Sequence, residues 1–150
     1  MYNFTDGGLT NIVLMNGYEE HDTDYGPGVS IHNLDGLIEA ICLGLTTKSS
    51  PLTAEEFRYL RQALCLSQAS VGQLMGLSDQ AVAKWEKKQV PLPKLADFAM
   101  RAIYMEHAGG NQKVKDLVEA LNVTERVLTI IMRETEKGWQ YKEEPAEATA

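Results

Sequence analysis

The sequence predicts an α+β fold, mainly a helix–turn–helix bundle with a small antiparallel β element at the N-terminus. Three features of the chain predict it. β-Prone runs alternate with glycine-containing turns in residues 1–33, and apolar residues recur at helical spacing from residue 35 onward. The third feature is the stretch 66–88, which we interpret as two short helices joined by a tight turn. Gly76 lies at that turn, and Ser78 stands where the second helix needs its N-cap.

Residues 1–50 are predicted to form a small β-hairpin unit followed by a helix. Residues 12–15 are a β-prone run, and Asn16-Gly17 predicts a hairpin turn to a return strand at 18–21. A second turn is expected at 24–28 and a third strand at 29–31. The apolar spacing predicts a helix over 35–45, with Asn33 or Asp35 as its cap. We interpret the polar residues 46–51 as a linker.

Residues 51–108 are predicted to form a helix–turn–helix domain. Thr53 and Glu56 have the spacing of a capping box at the start of its first helix. Pro91 and Pro93 mark the break before its last helix. The residues on the predicted apolar helix faces are Phe57, Leu60, Leu64, Val71, Leu74, Met75, Val82, Trp85, Leu95, Phe98, Ala99 and Ala102.

Residues 109–142 are predicted to form a pair of C-terminal helices, over 111–121 and 124–137. Their apolar set is Leu117, Val118, Leu121, Val127, Leu128, Ile131 and Met132, which suits either packing on the bundle or a dimer contact. Trp139 and Tyr141 are either a partner-binding tip or residues that pack back onto these helices. The tail 143–150 is predicted to be disordered.

The composition indicates a soluble, cytoplasmic protein. The chain has 150 residues, of which 44% are hydrophobic and 23% charged, and no apolar run approaches the ~20 residues that span a bilayer. The N-terminus has no signal-peptide core. Cys42 and Cys65 lie outside any CxxC motif, so we expect buried, reduced thiols.

The charge distribution concentrates basic residues around the stretch 66–88. The formal net charge is −7, yet residues 53–101 carry seven basic and five acidic side chains. The acidic excess therefore lies in the flanking segments, where it should weaken non-specific binding to nucleic acid.

The stretch 66–88 has the side chains that a DNA-reading helix pair requires. Gln68 stands at the start of the first helix, where backbone N–H groups attract a phosphate. Gln80 offers an amide that can pair with adenine, and Lys84 can donate to guanine or to a phosphate. The candidate DNA-binding residues are Gln68, Ser78, Asp79, Gln80, Ala81, Lys84, Lys87 and Lys88.

Residues 53–104 resemble the Cro/repressor (Xre-type) helix-turn-helix family. The matching residues are Leu60-Arg61, Leu66-Ser67-Gln68, Gly76-Leu77-Ser78, Val82 and Trp85-Glu86. The resemblance implies that Gln68 contacts the phosphate backbone and that Asp79, Gln80 and Lys84 face the bases. It also implies that Arg61 and Glu86 form a largely buried, structural ion pair.

Three residues depart from the family pattern. Gly72 replaces the usual alanine, which should loosen its helix by up to about 1 kcal/mol. Lys88 replaces a glycine after the recognition helix and would be mildly strained in a left-handed conformation. Asp79 adds a negative charge that either selects cytosine or only favours the helix dipole.

The N-terminal residues are similar to those of toxin–antitoxin regulators, some of which join a small zinc-binding β domain to a helix-turn-helix. The similarity involves Tyr2, Gly8-Leu9, Asn11-Ile12, Leu14 and Ser30-Ile31. The zinc cysteines are missing, and this part of the chain offers only His21 and His32 besides acids. We therefore expect no metal.

Two functional hypotheses follow from these patterns. The first is a sequence-specific transcriptional regulator that binds double-stranded DNA as a homodimer, on a pseudo-palindromic operator. The alternative is an antitoxin-like protein-interaction module with a toxin-like partner, whose DNA binding is secondary. No catalytic constellation or cofactor motif is evident, so we expect neither an enzyme nor a cofactor.

Overall fold

The computed structural model describes residues 1–109, 120 and 125–146, and it has the α+β fold that the sequence predicts. Its strands and helices in chain order are β1 (Tyr2–Asn3), β2 (Ile12–Leu14), β3 (Tyr18–Thr23), β4 (Gly26–Ile31), α1 (Leu34–Thr46), α2 (Ala54–Ala63), α3 (Gln68–Met75), α4 (Asp79–Glu86), α5 (Lys94–Ala108), β5 (Leu128–Thr135) and β6 (Gly138–Pro145). None of the described helices has the length and apolar character needed to cross a membrane.

The chain divides into two units. The sheet unit comprises Met1–Ile41 and Leu128–Ala150, and the helical unit comprises Cys42–Val127. The sequence instead placed a boundary near residue 50 and assigned the C-terminal residues to a unit of their own. Helix α1 begins in the sheet unit and ends in the helical unit. Its start matches the prediction, since the Asn33 side chain accepts a hydrogen bond from the Gly36 N–H at 3.3 Å.

The sheet unit is built on four strands in the order β1-β2-β5-β6. Strand β2 pairs antiparallel with β1 and parallel with β5, and β5 pairs antiparallel with β6. Alternate residues of β2 and β5 are buried, as a half-buried sheet requires. The buried apolar residues of the unit are Phe4, Leu9, Ile12, Leu14, Leu37, Ile41, Leu128, Ile130 and Met132.

Strands β3 and β4 form a separate hairpin around Asp24 and Tyr25. The predicted second turn and third strand are therefore confirmed. The predicted hairpin at Asn16-Gly17 is wrong, because β2 pairs with β1 and β5 and not with β3. Residues 19–23 of β3 are all exposed, so this strand could not have covered the apolar side chains of β2.

The predicted C-terminal helix over 124–137 is also wrong, since β5 occupies residues 128–135 of this range and β6 follows at 138–145. Leu128, Ile131 and Met132 fit a helical spacing, but the buried set on β5 alternates as Leu128, Ile130 and Met132. Residues 143–145, predicted as part of a disordered tail, belong to β6. The predicted helix over 111–121 and residues 147–150 lie outside the described residues, apart from Ala120.

Helices α2 to α5 belong to the helical unit, and α2 begins at the predicted capping box. The Thr53 hydroxyl accepts from the Glu56 N–H at 3.2 Å, and the Glu56 carboxylate accepts from the Thr53 N–H at 2.9 Å. Three residues of the predicted apolar faces do not join the core, because Leu74 is 62% exposed, Leu95 is 82% exposed and Ala102 is also exposed. The expectation of a buried thiol holds for Cys42 but is wrong for Cys65, which is exposed. The core residues of the unit include Leu45, Leu52, Phe57, Leu60, Val71, Val82, Trp85, Met100 and Tyr104.

The segment 46–51, interpreted from the sequence as a linker, contains fully buried polar residues. Thr46, Lys48 and Ser50 have no exposed surface. The Lys48 ammonium donates to the Glu56 carboxylate at 2.6 Å and to the Pro51 carbonyl at 3.0 Å. The capping carboxylate of α2 is thus also the partner of a buried lysine. The linker interpretation is wrong, because Thr46 and Lys48 are buried and their side chains are hydrogen-bonded within the protein, although the buried Ser50 hydroxyl has no hydrogen-bond partner among the described residues.

Arg101 on α5 also forms hydrogen bonds with the segment 46–51. Its guanidinium donates to Asp97 at 2.7 Å, to the Lys48 carbonyl at 3.0 Å and to the Ser50 carbonyl at 2.5 Å. The other carboxylate oxygen of Asp97 accepts from the Leu52 N–H at 2.8 Å. Burial raises the pKa of the Asp97 carboxyl above its ordinary value, although the Arg101 charge acts in the opposite direction.

Candidate nucleic-acid interface

Helices α3 and α4 are joined by three residues and are capped at both starts by serine. The Ser67 hydroxyl accepts from the Ser70 N–H at 3.0 Å, and the Ser78 hydroxyl accepts from the Ala81 N–H at 3.2 Å. Gly76 ends α3 with φ of +71°, in the left-handed region. The predicted turn at Gly76 and the predicted cap at Ser78 are therefore confirmed.

Gly72 sets how closely α3 approaches this turn. It is buried, and a Cβ placed on it would lie 2.7 Å from the Leu77 carbonyl oxygen and 2.9 Å from backbone atoms of Ser78. These are backbone atoms, which cannot move aside as a flexible side chain can. From the sequence, Gly72 is only a loss of helix propensity, and the structure adds a steric reason for glycine here.

We expect Gly72→Ala to lower the free energy of unfolding by about 1–3 kcal/mol, the usual cost of overpacking. Helix propensity alone would give the opposite sign, a gain of about 1 kcal/mol. Thermal unfolding followed by circular dichroism distinguishes the two. Gln73→Ala, at the next and exposed position of α3, is the control for propensity. A higher melting temperature for Gly72→Ala would contradict the steric reason.

Helix α4 buries one face and exposes the other. Val82 and Trp85 are buried, and the Trp85 ring meets the Phe57 ring edge to face with centroids 6.0 Å apart. The opposite face is polar and solvent-exposed, with Ala81 half-buried at its edge. Its exposed residues are Asp79, Gln80 and Lys84, followed by Lys87 directly after the helix. The candidate base-facing residues therefore lie together on one helix whose orientation the core determines.

The structure brings Arg61 and Glu86 together, as the resemblance implies. The Arg61 Nε and Nη2 donate to the two carboxylate oxygens of Glu86 at 2.7 and 2.8 Å. Only 11% and 5% of the two side chains are exposed. Gln68 joins the pair, because its Nε2 donates to Glu86 Oε1 at 3.1 Å. The sequence named all three residues but did not predict the contact between Gln68 and Glu86.

Lys88 has a partner that sequence reasoning missed. Its ammonium lies 2.5 Å from the Glu55 carboxylate, and its backbone is left-handed with φ of +61°. The hydrogen bond and charge of Glu55 raise the pKa of Lys88. Partial burial acts to raise the pKa of Glu55, but the hydrogen bonds it accepts and the Lys88 charge hold that pKa below its ordinary value. Lys88 is thus partly neutralised, which leaves Lys84 and Lys87 as the cations of this surface with no carboxylate partner among the described residues.

No protein-family model, no curated protein and no solved structure matches the chain. A functional assignment therefore depends on the chemistry of the exposed surfaces. The polar face of α4 exposes one amide, Gln80, and one cation, Lys84, on a helix whose opposite face is buried in the core.

The two histidines of the sheet unit lie near the Glu19 carboxylate, and His32 also lies 3.9 Å from the Glu134 carboxylate. His21 and His32 are 3.9 and 3.6 Å from Glu19, and His21 also contacts the Ser30 hydroxyl at 3.0 Å. No group of three or more His, Cys, Asp or Glu side chains within the described part of the chain is arranged to hold a metal ion.

Trp139 is half-buried and is not an exposed tip. It lies on β6 of the sheet unit, and its indole ring stacks so closely over Gly17 that a Cβ there would overlap the ring. Gly17 also has a positive φ of +78°. Gly17 therefore provides the surface for a tryptophan, and the Asn16 side chain is hydrogen-bonded to the Glu134 backbone, where the sequence predicted a hairpin turn.

Proposed function

We propose that the protein is a sequence-specific DNA-binding transcriptional regulator. The observation that carries the proposal is the exposed face of α4, which bears Asp79, Gln80 and Lys84 while Val82 and Trp85 anchor the opposite face. A major groove admits one α-helix, and amide and ammonium groups match the edges of adenine and guanine. The half-buried Ala81 allows close approach to the groove floor and contact with a thymine methyl.

Phosphate contacts would come from the residues around this helix. Gln68 lies at the start of α3, and Lys87 and Lys88 lie at the end of α4. These positions suit phosphate contacts, which orient the protein on the DNA but do not discriminate between base sequences. Because Glu55 partly neutralises Lys88 and the whole chain is acidic, we expect modest affinity that falls steeply with salt.

A helix of eight residues reads too few base pairs for useful specificity on its own. The proposal therefore includes a homodimer on a pseudo-palindromic operator, with half-sites about 10 base pairs apart. It also includes action in the cytoplasm, without a cofactor and without catalysis.

Gln80→Ala with Lys84→Ala is expected to weaken operator binding by at least about 30-fold, since each base contact contributes roughly 1–3 kcal/mol. The operator is first selected from a random DNA pool at near-physiological salt, and dissociation constants are then measured on it. Both side chains are exposed, so the melting temperature should stay within about 4 °C of the wild-type value.

The matched control is Gln140→Ala with Lys142→Ala, which removes one amide and one ammonium from exposed positions of β6. This variant has the same change in charge and should bind the operator as the wild type does. Equal binding by the α4 variant and the wild type would refute the proposal.

A second candidate is an antitoxin-like module that binds a basic protein, with DNA binding secondary. It is favoured by strand β3, whose exposed side chains include Glu19, Glu20 and Asp22, beside Asp24 in the turn. Such a surface would attract a cationic partner. An adjacent gene for a small basic protein, and loss of its co-purification in the variant with Glu19, Glu20 and Asp22 changed to amides, would support it.

A further inference from the structure

We propose that Glu86 is a positioning residue, which orients the side-chain amide of Gln68 so that one of its N–H groups faces a DNA phosphate. This inference rests on the proposed DNA-binding function. The resemblance implies only a structural role for Glu86, in its pair with Arg61. The structure adds a third member, because Gln68 Nε2 lies 3.1 Å from Glu86 Oε1.

The chemistry of a carboxylate determines which way the amide must point. Ionised Glu86 only accepts hydrogen bonds, so it can face the Nε2 of Gln68 but not the carbonyl Oε1. If the amide were reversed, the Gln68 Oε1 would face a Glu86 carboxylate oxygen, and neither atom could donate a hydrogen bond. The Nε2 group has two hydrogens, and Glu86 takes one of them. The second is left to donate, and a phosphate oxygen at the start of α3 is a suitable acceptor.

Glu86 can act in this way because it is itself held in place. Arg61 donates to both of its carboxylate oxygens, and Oε1 accepts from Arg61 and Gln68 together. Arg61 also donates to the Leu66 carbonyl at 2.9 Å, two residues before Gln68. One guanidinium thus fixes the carboxylate and the chain entering α3. It also offsets the negative charge of Glu86, which would otherwise repel a nearby phosphate.

A double-mutant cycle on DNA affinity tests the positioning role. The proteins are the wild type, Gln68→Ala, Glu86→Gln and the double variant, measured on the operator selected by the wild type. Glutamine at position 86 can present either a donor or an acceptor, so it no longer dictates the direction of the Gln68 amide. We expect each single variant to lose about tenfold in affinity. The double variant should lose no more than about twofold beyond Gln68→Ala.

Two further readouts separate positioning from a merely structural role. The loss in each single variant should be the same on the operator and on operators with single base changes, because a phosphate contact carries no sequence information. In the absence of DNA, the side-chain NH₂ signal of Gln68, assigned by its disappearance in Gln68→Ala, should shift in Glu86→Gln. Glu86→Asp retains the negative charge that pairs with Arg61, but its shorter side chain moves the carboxylate away from Gln68. This variant replaces Glu86→Gln in the experiment if Glu86→Gln does not fold.

The outcomes distinguish this inference from the function on which it rests. The losses are additive if Glu86→Gln or Glu86→Asp weakens DNA binding equally with and without Gln68. Additive losses overturn the positioning role but do not contradict the proposed DNA-binding function. An unchanged NH₂ signal overturns it as well. Failure of the wild type to select any DNA overturns the proposed function, and the positioning role with it.

Discussion

Arg101→Met is expected to lower the free energy of unfolding of the helical unit by at least about 3–5 kcal/mol, the usual cost of removing one partner of a buried ion pair. Arg101 is 1% exposed and is the shared donor for Asp97 and for the carbonyls of Lys48 and Ser50. Its loss leaves a buried carboxylate without its cation and two buried carbonyls without this donor. Urea unfolding followed by circular dichroism measures the effect.

Arg58→Met on α2 is the matched control, since Arg58 is exposed and the change should stay within about 0.5 kcal/mol. If the buried charge causes most of the loss, adding Asp97→Leu to Arg101→Met should recover part of it. Equal stability of the Arg101 and Arg58 variants would show that the network contributes nothing.

The Arg101 variant should also change how stability depends on pH. Burial already raises the pKa of Asp97 above 3.8, and Arg101 opposes that rise. Without Arg101 the folded-state pKa rises further, so the folded variant holds a proton that the unfolded chain releases. That contribution is fully present below 3.8 and is lost as pH rises through the folded-state pKa. The destabilisation by Arg101→Met should therefore be smaller at pH 4 than at pH 7.

Lys48→Met is expected to produce a loss of similar size, about 3–5 kcal/mol. Lys48 is fully buried, and its ammonium contacts the Glu56 carboxylate and the Pro51 carbonyl. The change leaves the capping carboxylate of α2 in the interior without this ammonium. Lys84→Met, on the exposed face of α4, removes the same charge at a surface position and should have little effect on stability.

Adding Glu56→Gln to Lys48→Met provides the diagnostic comparison. A glutamine carbonyl can still accept from the Thr53 N–H, as Glu56 does at 2.9 Å, but it brings no charge into the interior. We expect the double variant to be clearly more stable than Lys48→Met alone. If it is not, the loss comes from packing of the lysine stem and not from the buried charge.

Features that depend on neighbouring residues were predictable. The capping box of Thr53 and Glu56 spans three residues, and Gly76 and Ser78 satisfy the ends of α3 and α4 through bonds to their own helices. The candidate DNA-binding residues on α4 could also be found, because a period of 3.6 separates the side of Val82 and Trp85 from that of Gln80 and Lys84. Local hydrogen bonds and helical periodicity are both present in the sequence.

Features that depend on distant partners were not predictable. Residues 128–132 fit both helical and strand spacing, and only pairing with β2 from the other end of the chain makes them a strand. The polar sequence of the segment 46–51 is typical of an exposed linker. Its burial could not be predicted, because Lys48 is hydrogen-bonded to residues of other elements, α2 and α5.

The secondary structure of the stretch 66–88 thus follows from its own residues, whereas the tertiary contacts of its side chains do not. Cap, turn and exposed face are specified locally, within one or two helical turns. The resemblance implied the pair of Arg61 and Glu86, but the contact of Glu86 with Gln68, the pairing of Lys88 with Glu55 and the fit of Gly72 against the turn arise only in the packed structure. Hydrogen bonds and steric contacts between helices depend on three-dimensional distance, which the order of residues does not reveal.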